Sequence, residues 1–123
     1  MRRTPYVTNA EILFEFKTYW KTGIISDNMT KIIYKIARKI ANSRNFYMYP
    51  YKEDMIQEGV FHVINRGITG FTQGRDNPFA YFTTIISFKF IEYIKKDKKN
   101  VRIRELAKEK LIENIKDNIN RRK

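Results

Sequence analysis

Apolar residues recur every three or four positions along almost the whole chain, which is the period of an α-helix. Ile12, Leu13, Phe16, Tyr19 and Trp20 fall on one side of a first helix. Thr8 or Asn9 is placed to cap its start and Gly23 to end it. Met29, Ile32, Ile33, Ile36, Ala37 and Ile40 form the stripe of a second helix that starts at Asp27 or Asn28. Its other side carries Lys31, Lys35, Arg38 and Lys39. The segment NSRNFYMYP reads as a connection, with Pro50 at or before the start of a third helix. That helix is expected to run to about Arg66 and to be broken by Gly67 and Gly70. TQGRDN is turn chemistry, and Asn77 followed by Pro78 opens a fourth helix ending near Asp97. From Lys98 the chain is charged, with Val101, Ile103, Leu106, Leu111, Ile112, Ile115 and Ile119 on a broad, drifting stripe. This tail reads as a basic amphipathic helix or a segment partly disordered without a partner. No strand alternation, internal repeat or low-complexity tract interrupts the pattern. The expected fold is all-α, a compact bundle of about four to five helices over residues 1–97, followed by a tail over 98–123.

The 123 residues are 42% hydrophobic, enough for one modest core. There is no cysteine, which removes disulfides, thiolate zinc sites and cysteine nucleophiles and fits a reducing cytosol. His62 is the only histidine and reads as a surface or boundary residue. Imidazole metal clusters and Ser-His-Asp chemistry therefore lack parts. No nucleophile–base pair or phosphate loop is evident, so the expectation is a non-enzyme with no cofactor and no metal. The formal charge of +12 points to a polyanionic partner, against the plainer reading of a soluble basic or ribosome-like protein. MRRTPYVTNAEILFEF has two arginines but no apolar stretch of signal-peptide length. No segment is long and apolar enough to span a bilayer. A soluble, cytoplasmic protein without membrane contact is expected.

Two faces stand out. Asp54, Gln57, Glu58 and Phe61 lie at i, i+3, i+4 and i+7 and so share one side of the third helix, opposite Ile56, Val60 and Val63. A ring among carboxylates and an amide suits a protein-docking patch, with the aromatic as anchor. The plainer alternative is that the acids complement the helix dipole while Phe61 covers the connection before Pro50. The fourth helix is apolar on two sides. Tyr81, Ile85, Phe88 and Ile91 form one, and Phe79, Phe82, Ile86, Phe90 and Tyr93 the other. So short a chain can hardly surround such a helix, and one side is expected to meet a partner. Arg75, Lys89, Lys95, Lys96, Lys98 and Lys99 lie close by. Rings interleaved with cations are what single-stranded nucleic acid requires. The alternative is a core helix covered by the tail.

DMIQEG, Asp54 to Gly59, closely resembles the D-L-I-Q-E-G hallmark of bacterial sigma factors. Phe71, seven residues and then Phe79 at the start of an aromatic helix follow as in that family. KIIYKIARKIANSRNF is similar to the helix that opens the family's second region, and Asn28 to Lys96 resembles that region as a whole. N-P-x-A-Y-x-T before a phenylalanine-rich helix, I-K-K, and the start at Tyr6 to Leu13 look most like the late-transcription sigma factors of tailed phages.

The resemblance implies that Asp54, Gln57 and Glu58, with Phe61 beside them, dock on the clamp helices of the RNA polymerase large subunit. It implies promoter DNA, especially the non-template strand, as the second partner. A flipped adenine would sit in an aromatic pocket at Phe79 and Phe82, with Tyr81 and Thr84 nearby. Ile85 and Ile86 stand where host factors carry a tandem tryptophan wedge, and aliphatic side chains can also wedge between base pairs. Lys89 would contact the upstream duplex edge and Arg75 lies just before the helix. Asn77 replaces an upstream pocket aromatic. The residues after Asp97 are too few for an ordinary second promoter-reading domain, so a single A·T-rich element is expected. INRRK does not resemble the apolar-acidic tail with which phage late factors recruit a sliding clamp. A phage coactivator is left open, and the setting would be the cytoplasm of an infected bacterial cell. The expected function is thus a minimal promoter-specificity factor. The competing readings are a non-specific single-stranded nucleic-acid binder and a polymerase inhibitor that occupies the clamp without reading DNA.

Overall fold

In the computed structural model of the chain, which describes residues 6–121, the first two helices each start at a hydroxyl cap. Thr8 Oγ1 accepts from the Glu11 N–H at 3.2 Å and opens α1 (Asn9–Thr22). Gly23, at φ 73°, closes it by donating its N–H to Tyr19. α2 (Asp27–Ala41) starts at Asp27, one of the two expected positions, and Ser26 caps it. Ser26 Oγ accepts from the Met29 N–H at 3.1 Å and donates to Glu15 Oε2 at 2.5 Å. Asn28 Nδ2 donates to the other Glu15 oxygen at 2.7 Å. Glu15 is thus a buried carboxylate that joins the middle of α1 to the first turn of α2.

Of the two glycines expected to break the third helix, Gly67 does not, and Gly70 is the last helical residue. α3 (Lys52–His62) passes into a π-helical turn at Val63–Gly67 and one more turn, α4 (Ile68–Gly70), before the chain becomes extended at Phe71. Gly70 serves close packing, whereas a Cβ at Gly67 would make only ordinary contacts. A Cβ at Gly70 would lie 2.5 Å from the Tyr81 hydroxyl, and one at Gly67 would touch Val63 and Ile85. The turn that follows has its tight point at Gly74, with φ 95°.

Phe16 lies at the centre of the core, fully buried. Its ring stacks on Phe71 at 4.5 Å and on Trp20 at 5.6 Å, and meets Phe82 at 5.6 Å. From α2, Met29, Ile32, Ile33, Ile36 and Ala37 are buried as the stripe requires, and Ile40 is only half-buried. Phe46, in the connection after α2, meets the buried Phe90 edge-on at 5.4 Å. A bundle of four helices results: α1, α2, α3 with its continuation, and the start of α5 (Pro78–Arg121). No strand occurs among the described residues.

α5 continues 24 residues beyond the expected end at Asp97. The chain divides into two compact units, Met1–Ile91 and Glu92–Lys123. The first is the bundle. In the second, the helix is unbroken to Arg121 and exposes Val101, Ile103, Leu106, Leu111, Ile112, Ile115 and Ile119. No helix among the described residues is long and apolar enough to cross a membrane. The amino-terminal arginines, and Arg122 and Lys123 of INRRK, lie outside the described residues.

Candidate nucleic-acid and protein-docking surfaces

The acidic side of α3 forms because Met55, Ile56 and Gly59 turn inward, leaving the positions between them outward. Asp54, Gln57 and Glu58 are all exposed. Phe61 continues the same side and is 67% exposed, so its ring does not cover the connection before Pro50. Glu53 is exposed as well. Gly59 lets this helix approach α5 closely: a Cβ there would lie 2.9 Å from Phe90 Cε1 and 3.4 Å from Ile86 Cγ2. Among the described residues no three His, Asp or Glu side chains converge as metal ligands.

The start of α5 forms a cavity of about 500 Å³ lined by Phe71, Arg75, Asp76, Asn77, Ala80, Tyr81, Thr84 and Ile85. Asn77 Oδ1 caps the helix by accepting from the Ala80 N–H at 3.1 Å. That leaves its amide NH2 to donate to a ligand. Tyr81 donates its hydroxyl to the Gly67 carbonyl at 2.6 Å, which ties the cavity wall to the π-helical turn. The Arg75 guanidinium lies 5.7 Å from the Phe71 ring centre and 5.4 Å from that of Tyr81. Burial pushes the Tyr81 phenol above its ordinary value, and the Arg75 charge opposes that shift.

The expected DNA-contacting residues divide here. Arg75, Tyr81, Thr84 and Ile85 line the cavity. Phe82 and Ile86 do not, because both are fully buried in the core and present no surface. Phe79 is half-buried and not part of the lining. Its ring meets Tyr6 edge-on at 6.0 Å and its N–H donates to Asn9 Oδ1 at 3.0 Å. Lys89 is half-buried and not part of the lining. Of the two apolar sides of the helix, Phe82, Ile86 and Phe90 face inward. The outward side is Tyr81, Ile85, Phe88 and Ile91, with Phe88 66% exposed. Periodicity offers no way to choose between two equally apolar sides. Phe71, Asp76 and Ala80 join the lining without having been singled out for it: Phe71 and Asp76 flank the turn before α5, and Ala80 lies in the first turn of that helix.

Compared with family models, curated proteins and solved structures, the chain matches none.

Proposed function

We propose that the chain is a sigma-like promoter-specificity factor of the phage late-transcription kind. The supporting observation is that one small bundle carries two separate surfaces of different chemistry, an acidic helix side and an aromatic-lined cavity. One is the exposed Asp54, Gln57, Glu58 and Phe61 side of α3, and the other is the cavity at the start of α5. In this reading the acids of α3 dock on the large-subunit clamp helices of RNA polymerase, with Phe61 as the apolar anchor. The cavity receives a base of the non-template strand. Tyr81 supplies a flat apolar wall with the buried Phe71 packed behind it, Arg75 a cation, and Asp76, Asn77 and Thr84 hydrogen-bonding groups. Extruding a base costs a few kcal/mol, which these contacts have to offset. Ile85, half-buried at the cavity edge, is the aliphatic side chain available to wedge at the fork. Phe82 and Ile86 act behind this wall as its packing rather than as contacts.

The test is capture of purified RNA polymerase core by the wild type and by a variant with Asp54, Gln57 and Glu58 changed to alanine. Capture by the wild type and loss in the variant supports the reading, and promoter opening is then assayed on an A·T-rich fork. Failure of either protein to bind any core, with equal binding of single-stranded DNA, replaces it with a non-specific nucleic-acid binder.

A further inference from the structure

The outer side of α2 has no part in the bundle, yet it is not chemically featureless. Lys31, Lys35, Arg38 and Lys39 stand at i, i+4, i+7 and i+8, and all four are exposed. Among the described residues none of them pairs with a carboxylate. Two exposed rings lie among these cations. The Arg38 guanidinium is 5.7 Å from the Tyr34 ring centre, and Lys39 Nζ is 5.6 Å from that of Tyr6. Tyr6 in turn meets Phe79 at 6.0 Å, one residue before Ala80 of the cavity lining. Phe79 and Tyr6 therefore link the first turn of α5, next to Ala80 in the chain, to Lys39 on the cationic side of α2.

We propose that this side of α2 is a second binding surface for single-stranded nucleic acid, running on from the cavity through Phe79 and Tyr6. It rests on the reading that the cavity takes a base, and extends it to the flanking phosphates. Unpaired cations at one-turn spacing meet phosphates, and tyrosine faces meet bases in a sequence-tolerant way. An anionic membrane does not fit, because the apolar stripe that would have to enter it is buried in the core.

The experiment uses the full chain and a fluorescein-labelled single strand of about 20 nucleotides, longer than the roughly 4–16 that one groove covers. The duplex of the same sequence is run beside it. Binding is followed by anisotropy across a salt series for the wild type, the quadruple variant K31Q/K35Q/R38Q/K39Q, and Tyr34→Leu. Four lost phosphate contacts at about 0.7 each should make the salt slope shallower by about 3. Tyr34→Leu should weaken binding about tenfold with the slope unchanged. All of these positions are exposed, and an unchanged circular dichroism spectrum confirms the fold. An unchanged slope in the quadruple variant overturns the proposal. So does duplex binding as tight as single-strand binding together with no effect of Tyr34→Leu. Polymerase capture is measured on the same proteins. If the wild type captures no core but the quadruple variant loses its slope, the promoter reading falls while this surface stands. If capture is normal and the slope is unchanged, the reverse holds.

Discussion

Gly59 closes the DMIQEG hexapeptide, and its role in the structure is packing. A Cβ placed there lies 2.9 Å from Phe90 Cε1, about 0.6 Å inside ordinary carbon–carbon contact, and 3.4 Å from Ile86 Cγ2. Phe90 is fully buried against Phe46 and cannot swing aside. Gly59→Ala should gain about 0.8–1.0 kcal/mol of helix propensity and lose about 1–3 kcal/mol to overpacking. The expected net loss is about 1 kcal/mol. Phe90→Leu removes the ring edge that the new methyl would strike. The double variant G59A/F90L should therefore be more stable than the two single effects predict, by at least about 1 kcal/mol. Urea unfolding followed by fluorescence of Trp20, the only tryptophan, reports on the bundle itself. A 1 kcal/mol loss moves the midpoint down by roughly 0.3–1 M. If Gly59→Ala raises the midpoint, or if the single effects add to within about 0.5 kcal/mol, the close approach of α3 to α5 is not what the glycine is for.

Glu15→Ala removes the hydrogen bonds from the half-buried Ser26 hydroxyl and the exposed Asn28 amide, and should cost about 1–2 kcal/mol, read as a fall in Tm of roughly 4–15 °C. The alanine triple variant at Asp54, Gln57 and Glu58 should shift Tm little, since exposed positions of this kind change stability by about 0.5 kcal/mol or less. Its loss of polymerase capture would then be a surface effect. Tyr81→Phe removes the hydrogen bond to Gly67 and should cost about 1 kcal/mol in the same urea assay. Because burial holds the Tyr81 phenol above 10 in the folded chain, against the pull of Arg75, its neutral form favours folding. That contribution is complete below pH 10 and is lost as the pH rises through the folded value. An alkaline titration of phenolate absorbance should show late-ionising tyrosines, including Tyr6 and Tyr81, and Tyr81→Phe should remove one of them.

Local pattern determined much of this protein. Helical period placed α1 and α2, and the Met29–Ile36 stripe went inward because no other side of α2 offers apolar surface. The Asp54, Gln57, Glu58 and Phe61 side of α3 was legible for the same reason: spacing alone fixes which side chains share a face. Tertiary structure decided what spacing leaves open. Gly67 and Gly70 look like helix breakers in sequence. Gly67 stays within the helical run and Gly70 ends it, and Gly70 carries no side chain because the Tyr81 hydroxyl, from a residue eleven positions on, fills the space a Cβ would take. The two apolar sides of α5 are equivalent in pattern, and only packing against Phe16 and Phe46 sent Phe82, Ile86 and Phe90 inward and left Tyr81 and Phe88 accessible. Glu15 sits within the stripe of α1 as a carboxylate that hydropathy would place in water. It is buried because Ser26 and Asn28, brought beside it by the turn after Gly23, replace the water it gives up.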